Sequence, residues 1–76
     1  MESKNNMNNL TNREFEVMQK VSIGKPNKEI ADELGCVEDT IKSHLRHAFP
    51  KLDAQNRVEA TIKFMEITGK LKNETE

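Results

Sequence analysis

The stretch from Thr40 to Leu52 combines positive charge with a lack of acidic residues. Its sequence, TIKSHLRHAFPKL, holds three lysines or arginines and two histidines. Lys42 and Arg46 are four residues apart, so on a helix they share one face. An arginine there can donate two hydrogen bonds to guanine O6 and N7, and a lysine can reach guanine or a phosphate. The pattern indicates a face that binds a polyanion, with a solvated basic face as the alternative.

Other polar residues suit the same chemistry. Thr40 lies in the first turn of the predicted helix, where N–H groups and a hydroxyl can bind a phosphate. Ser43 is small enough to let the backbone approach a ligand, and His44 is expected either to pack at the helix edge or to face a phosphate. Lys28 begins another predicted helix, where a cation opposes the helix dipole. That misfit favours a phosphate partner for Lys28 over an ordinary surface position.

The helix that carries this face is predicted from its apolar residues. They recur at i, i+4, i+7, i+8 and i+11 and form one face: Ile41, Leu45, Ala48, Phe49 and Leu52. Glu38 and Asp39 suit the N-terminus of this helix because they complement its dipole. Pro50 falls inside the helix, where it removes one backbone hydrogen bond and puts the geometry of the last turn in doubt.

A shorter helix precedes it. Asn27 is a suitable N-cap, and Gly35 ends the helix. Ala31 is small where two helices would cross, while Ile30 and Leu34 extend the buried stripe. The two segments form a helix-turn-helix pattern, whose second helix lies in the major groove when such a motif binds DNA.

Two further helices complete the prediction. Thr11 and Glu14 form a capping box that starts the first of them. Asn56 repeats this capping for a fourth helix, which is predicted to run to about Thr68 and to end at Gly69. No segment alternates as a strand would. The predicted fold class is therefore all-α, with four helices and short loops.

Several sequence blocks resemble the DNA-binding domains of the LuxR family. These blocks, in order, are LTNREFEV at 10–17, NKEIA at 27–31, TIKSH at 40–44, KL at 51–52 and NRVEA at 56–60. The resemblance covers residues 10–71. The sequence departs from the family pattern at Val37, which stands where members usually have a serine N-cap for the third helix. A lost cap costs about 1 kcal/mol.

The resemblance implies a four-helix LuxR-type helix-turn-helix domain that binds DNA through its third helix. It implies base contacts from Lys42, Ser43 and Arg46 and phosphate contacts from Lys28 and Thr40, to which the chemistry described above adds His44. Most LuxR-type domains follow a receiver or ligand-binding domain. The chain leaves no room for one, so it resembles the stand-alone GerE-like members or an excised C-terminal domain.

The predicted fourth helix carries two apolar stripes. One consists of Val58, Ile62 and Met65; the other consists of Ala60, Phe64, Ile67 and Leu71. A terminal helix of a small bundle needs only one buried face, so the surplus stripe suggests a second copy of the chain related by a two-fold axis. The family also implies dimerisation through this helix. The alternative is a single wide buried face.

Bulk properties narrow the function class. A chain of 76 residues with 34% hydrophobic and 33% charged residues is one domain at most, expected as a disordered arm at 1–9, the folded domain at 10–71 and a polar tail at 72–76. No apolar run approaches the roughly 18–20 residues that span a bilayer, and we expect no secretory signal, since residues 1–9 have no apolar stretch. With one cysteine, Cys36, and no complete ligand set around His44 and His47, we expect no metal, cofactor or catalytic residue.

We therefore interpret the chain as a sequence-specific transcriptional regulator that binds a pseudo-palindromic duplex as a homodimer. The expected location is the cytoplasm, in association with the nucleoid when DNA is bound, and RNA polymerase or another regulator is a further expected partner. The net charge of −1 and Pro50 keep open an alternative, a helix-turn-helix scaffold that binds another protein through its fourth helix.

Overall fold

The computed structural model describes residues 10–73, with side chains through residue 69. It contains four helices: α1 (Asn12–Ser22), α2 (Asn27–Leu34), α3 (Glu38–Lys51) and α4 (Arg57–Asn73). Residues 10–73 include no strand, and the all-α prediction is confirmed. The expected arm, residues 1–9, lies outside the described residues, as do residues 74–76 of the expected tail. None of the described helices is long and apolar enough to cross a membrane.

The start of α1 is held by the predicted capping box. The Glu14 N–H donates to the Thr11 hydroxyl, and the Thr11 N–H donates to the Glu14 carboxylate, both at 3.0 Å. These two bonds satisfy backbone donors that an uncapped helix would leave free. At its other end α1 gives way to Gly24, whose φ of 94° places it in the left-handed region.

The core lies where α1, α2 and α3 meet, with α4 packed against α1. Its largest fully buried side chains are Met18, Ile30, Ile41 and Val17. Phe64 of α4 closes the core from the other side and meets the Phe15 ring edge-on at a centroid distance of 5.1 Å. α3 thus rests on two other helices, which fixes its orientation.

The C-terminal end of α3 is tied to the first turn of α1. Lys51 Nζ donates to Glu14 Oε1 at 2.8 Å, and the Glu14 side chain is only 6% exposed. Burial alone would raise the pKa of Glu14, but the hydrogen bonds from Lys51 and the Thr11 N–H outweigh it and hold that pKa below its ordinary value. Pro50 lies in the last turn of α3 and does not end the helix, which continues to Lys51.

Replacing Glu14 with glutamine should lower the free energy of unfolding by about 1–3 kcal/mol at pH 7, since the bond to Lys51 loses its charge. A carboxyl whose pKa is depressed on folding stabilises the protein above its unfolded pKa and loses that effect as pH falls through its folded pKa. The difference between wild type and Glu14→Gln should therefore shrink below pH 4.5, the ordinary glutamate value, in urea titrations across the acid range.

Glu16→Gln is the matched control, because Glu16 pairs with Arg13 at 3.4 Å on the exposed surface of the same helix. It should change stability by less than about 0.5 kcal/mol at any pH. A Glu14→Gln deficit that is the same size at pH 3 and pH 7 would contradict the assigned role of the Glu14 charge.

The predicted end of α4 at Gly69 is wrong. Gly69 lies within the helix, which continues to Asn73 and so includes the first two residues of the segment expected as a tail. Glycine ends a helix when it adopts a left-handed conformation, as Gly35 does with a φ of 73°. The residues after Gly69 are KLK, which favour helix, and no proline follows. A single glycine costs only about 1 kcal/mol in a helix, too little to stop this one.

Candidate nucleic-acid interface

A three-residue turn, residues 35–37, joins α2 to α3. Gly35 takes up the left-handed conformation, and the Cys36 N–H donates to the Ala31 carbonyl at 2.9 Å, closing the end of α2. Ala31 is 2% exposed, and Ile30 and Ile41 are fully buried. The small residue at the crossing and the glycine turn fix the angle between the helices. The predicted helix-turn-helix is confirmed in this geometry.

α3 has one apolar and one polar face. Ile41, Leu45 and Ala48 are buried against the core, as predicted. Lys42 and Arg46 are exposed on the other side, and Lys28 is exposed in the first turn of α2. The remaining predicted contact residues, Thr40, Ser43 and His44, are half-buried along the borders between the two faces. The six residues therefore occupy the outward side of the helix-turn-helix and its borders.

The N-terminus of α3 has no side-chain cap. Val37 stands at the N-cap with its side chain 65% exposed, and it contributes only its carbonyl, which accepts the Thr40 N–H at 3.0 Å. Glu38 and Asp39 follow in the first turn, where carboxylates complement the helix dipole. The helix thus starts at Glu38 without a side-chain N-cap.

The lysines and arginines whose side chains the structure describes fall into two groups. One group is held by internal partners: Arg13, Lys20, Lys25, Lys51 and Arg57. In the other group, Lys28, Lys42, Arg46 and Lys63 form no ion pair with any residue in the described part of the chain. Three of these last four, Lys28, Lys42 and Arg46, are among the six predicted DNA contacts. No carboxylate among the described residues lies within ion-pair distance of them, so they are available to phosphates.

Two of the paired cations, Lys20 and Lys25, form an ion-pair network with carboxylates of α2. Lys20 of α1 donates to Glu33 at 2.8 Å, and Lys25 donates to Glu33 and to Glu29. The hydrogen bonds from Lys20 and Lys25 lower the pKa of Glu33, and those to Glu33 and Glu29 raise the pKa of Lys25. This network pairs the charges of Lys20, Lys25, Glu29 and Glu33 with one another, and Lys28 takes no part in it.

The start of α2 differs from the prediction. Asn27 was expected as the N-cap, but Pro26 stands at that position and Asn27 is the first helical residue. The reason is a long-range contact: Asn27 Oδ1 accepts a hydrogen bond from Arg57 Nη1 at 2.7 Å, so it does not cap its own helix. Arg57 Nη2 also donates to the Lys25 carbonyl at 2.8 Å. Proline suits this position, since the first N–H groups of a helix have no internal acceptor.

Sequence reasoning assigned no site role to Arg57 or Lys51, and both turn out to hold the helices of the motif in place. The signal for Arg57 was present, because an arginine in the first turn of a helix opposes the dipole just as Lys28 does. The Asn56 cap of the same helix is confirmed, with its side-chain oxygen accepting the Glu59 N–H at 2.8 Å. The Glu59 carboxylate accepts the Gln55 N–H at 2.7 Å, one residue before the cap.

α4 presents the predicted surplus apolar face. Val58, Ile62 and Met65 are 70%, 51% and 53% exposed, whereas Ala60 and Phe64 of the other stripe are buried. Ile67 packs against the core, and the side chain of Leu71 lies outside the described residues. A single wide buried face is therefore excluded. No group of three or more potential metal ligands occurs among the described residues.

These features define a helix-turn-helix domain of the DNA-binding class, and comparison with known proteins gives its family. Residues 8–64 match the family described as bacterial regulatory proteins, luxR family. The chain belongs to this family, which places it among DNA-binding regulators rather than enzymes.

Similar proteins carry regulatory names. The chain is 40% identical over 62 residues to a nitrate/nitrite response regulator protein homolog of Haemophilus influenzae, covering 82% of this chain and 30% of that protein. It is 42% identical over 60 residues to the nitrate/nitrite response regulator protein NarP of Escherichia coli, covering 79% and 28%. It is 39% identical over 62 residues to the transcriptional regulatory protein LnrK of Bacillus subtilis, covering 82% and 28%. The chain thus spans less than a third of the length of these relatives.

Proposed function

We propose that this domain binds duplex DNA sequence-specifically with α3 in the major groove, as part of a transcriptional regulator that acts in the cytoplasm on promoter DNA. The observation that carries the proposal is the positive charge of Lys28, Lys42 and Arg46, none of which forms an ion pair with a described side chain. A net charge of −1 does not oppose this, because salt screens the distant carboxylates beyond about 10 Å. The regulatory names of the relatives support the same role.

Each contact residue has a distinct proposed task. Lys42 and Arg46 read base edges, and Ser43 between them allows the helix to lie close to the base pairs. Thr40, His44 and Lys28 hold phosphates and so fix the register of α3 along the groove. Contacts of the second kind carry no sequence information, and their loss weakens binding to all duplexes alike.

A dimer is the second part of the proposal. Val58, Ile62 and Met65 form an exposed apolar face on α4, and a two-fold axis through this face would pair it with its own copy. Two α3 helices would then meet half-sites about one helical turn apart. Pairing also doubles the number of phosphate contacts, which strengthens a module with few cations. RNA polymerase or another regulator is a further proposed partner of the DNA-bound dimer.

Selection from a pool of random duplexes at about 150 mM salt tests the proposal directly. The expected result is an enriched, roughly palindromic consensus whose half-site spacing gives the dimer geometry. Binding to this consensus should weaken by orders of magnitude between about 50 and 200 mM salt. A folded protein that enriches no sequence, or that binds a protein partner with little response to salt, would favour the scaffold alternative with α4 as the binding surface.

Ile62→Glu should prevent pairing while leaving the monomer folded, because the side chain is 51% exposed and an added carboxylate cannot be buried between two copies. Sedimentation equilibrium should give a monomer, and affinity for the palindrome should fall by at least about a hundredfold. Lys63→Glu introduces the same carboxylate one position away on α4 and should leave the dimer intact. If the Ile62→Glu protein still formed dimers at the concentrations at which the wild type does, another surface would form the dimer contact.

A further inference from the structure

The first turn of α2 has no cap of its own. Pro26 stands at the N-cap and offers no side-chain acceptor, and the asparagine that follows it is turned to another partner. α2 has eight residues, too few for a helix to be stable without tertiary contacts. Its first backbone hydrogen bond runs from the Ile30 N–H to the Pro26 carbonyl at 3.0 Å. Some other group must therefore hold the chain where α2 begins.

That group is Arg57, the first residue of α4. Its Nη1 and Nη2 atoms donate to Asn27 Oδ1 at 2.7 Å and to the Lys25 carbonyl at 2.8 Å. The two acceptors flank Pro26, so the planar guanidinium holds the chain on both sides of the N-cap. Both bonds are partly buried, which makes them stronger than surface contacts. A lysine could not replace them, since it lacks the fixed pair of donors.

We infer that Arg57 is a positioning residue for DNA binding: it holds the first turn of α2 so that Lys28 meets a phosphate. Lys28 follows Asn27 directly, is exposed and has no ion pair among the described residues. Arg57 in turn precedes Val58, the first residue of the exposed face of α4. One side chain thus joins the element proposed to pair two copies with the element proposed to hold the backbone of DNA. This inference rests on the proposed function.

A double-mutant cycle between Arg57 and Lys28 tests it. The probe is the duplex selected by the wild-type protein, titrated with wild type, Arg57→Ala, Lys28→Ala and the double variant. If Arg57 acts through Lys28, each single variant should lose about tenfold in affinity, and the double variant should lose no more than either one. For each variant, the slope of log affinity against log salt concentration should also be shallower than for wild type, by the amount expected for the loss of about one phosphate contact per half-site. Arg57→Lys should recover only part of the loss.

Amide hydrogen exchange provides a reading that a general loss of stability would not reproduce. In Arg57→Ala, protection of the Ile30 N–H should fall, while protection of buried amides in α3 should remain as in wild type. Lys63→Ala is the matched control, because it removes one positive charge from α4 at a residue with no ion pair in the described chain. It should leave both exchange and the salt dependence nearly unchanged.

Three results would overturn the inference or its basis, and they can be told apart. Additive losses in the double variant would mean that Arg57 acts independently of Lys28, and a uniform loss of protection throughout the domain would mean that it serves stability alone. A wild-type protein that selects no duplex would instead overturn the proposed function, while the exchange measurement would still show whether Arg57 holds α2.

Discussion

Replacing Lys42 and Arg46 together with alanine is expected to abolish sequence-specific DNA binding without unfolding the protein. Both side chains are exposed on α3 and form no ion pair among the described residues, so stability should change by less than about 0.5 kcal/mol for each. A contact to a base edge is worth about 1–3 kcal/mol, and in a dimer each substitution acts twice. The affinity for the selected duplex should fall by at least about a thousandfold in a titration with labelled DNA.

The matched control is the double variant Arg13→Ala with Lys20→Ala. It removes the same charge, one arginine and one lysine, from α1. There the two side chains pair with Glu16 and Glu33 at the surface, and neither is among the predicted DNA contacts. Since exposed ion pairs contribute about 0–1 kcal/mol, this variant should stay folded and lose only a few-fold in affinity. If the Lys42→Ala and Arg46→Ala double variant bound DNA as tightly as wild type, the recognition surface would have to lie elsewhere on the domain.

Phe64→Ala is expected to have the largest effect on stability. Phe64 is 3% exposed and meets Phe15 at 5.1 Å, so truncation removes both its burial and the edge-on ring contact between α4 and α1. Such substitutions cost about 3–5 kcal/mol. A domain of this size has a total stability of roughly 5–10 kcal/mol, and the variant should be partly unfolded at 37 °C. Urea unfolding followed by far-ultraviolet circular dichroism measures the difference.

Two variants of α4 show whether the cost comes from the core. Phe64→Leu keeps most of the buried volume and should lose about 1.5 kcal/mol or less. Glu66→Ala alters an exposed position two residues away and should change stability by no more than about 0.5 kcal/mol. A Phe64→Ala protein as stable as the Glu66→Ala protein would mean that α4 is not packed on α1 as described.

The fold could largely be predicted because its information is local. Apolar residues at helical spacing gave the buried side of α3, and the Thr11–Glu14 box gave the start of α1. The prediction of helix ends failed at two residues. In one case a distant side chain competes with the local preference, and in the other the local preference is weak. Asn27 has the side chain of an N-cap, but its oxygen binds an arginine 30 residues further along the chain. Gly69 permits a helix end without requiring one, and because helix-forming residues follow it, α4 continues to Asn73.

The placement of the candidate site residues was predictable to a similar degree. Residue types and spacing placed Lys42 and Arg46 on one face of α3, because a helix brings residues four apart together. Which cations keep their charge free was not readable from the sequence. Carboxylates occur along most of the chain, and only the packing of α1, α2 and α3 decides that Lys20, Lys25 and Lys51 have carboxylate partners.

The first turn of α1 has a consequence for the order of folding. Glu14 meets Lys51, 37 residues further on, and Phe15 meets Phe64 of the last helix. Closing such long loops costs chain entropy before the contact returns any energy, whereas α2, its glycine turn and α3 need only near neighbours. We therefore expect α2 and α3 to pair in the transition state and the start of α1 to dock afterwards. The contacts of α1 would then set the lifetime of the folded domain rather than the speed at which it forms.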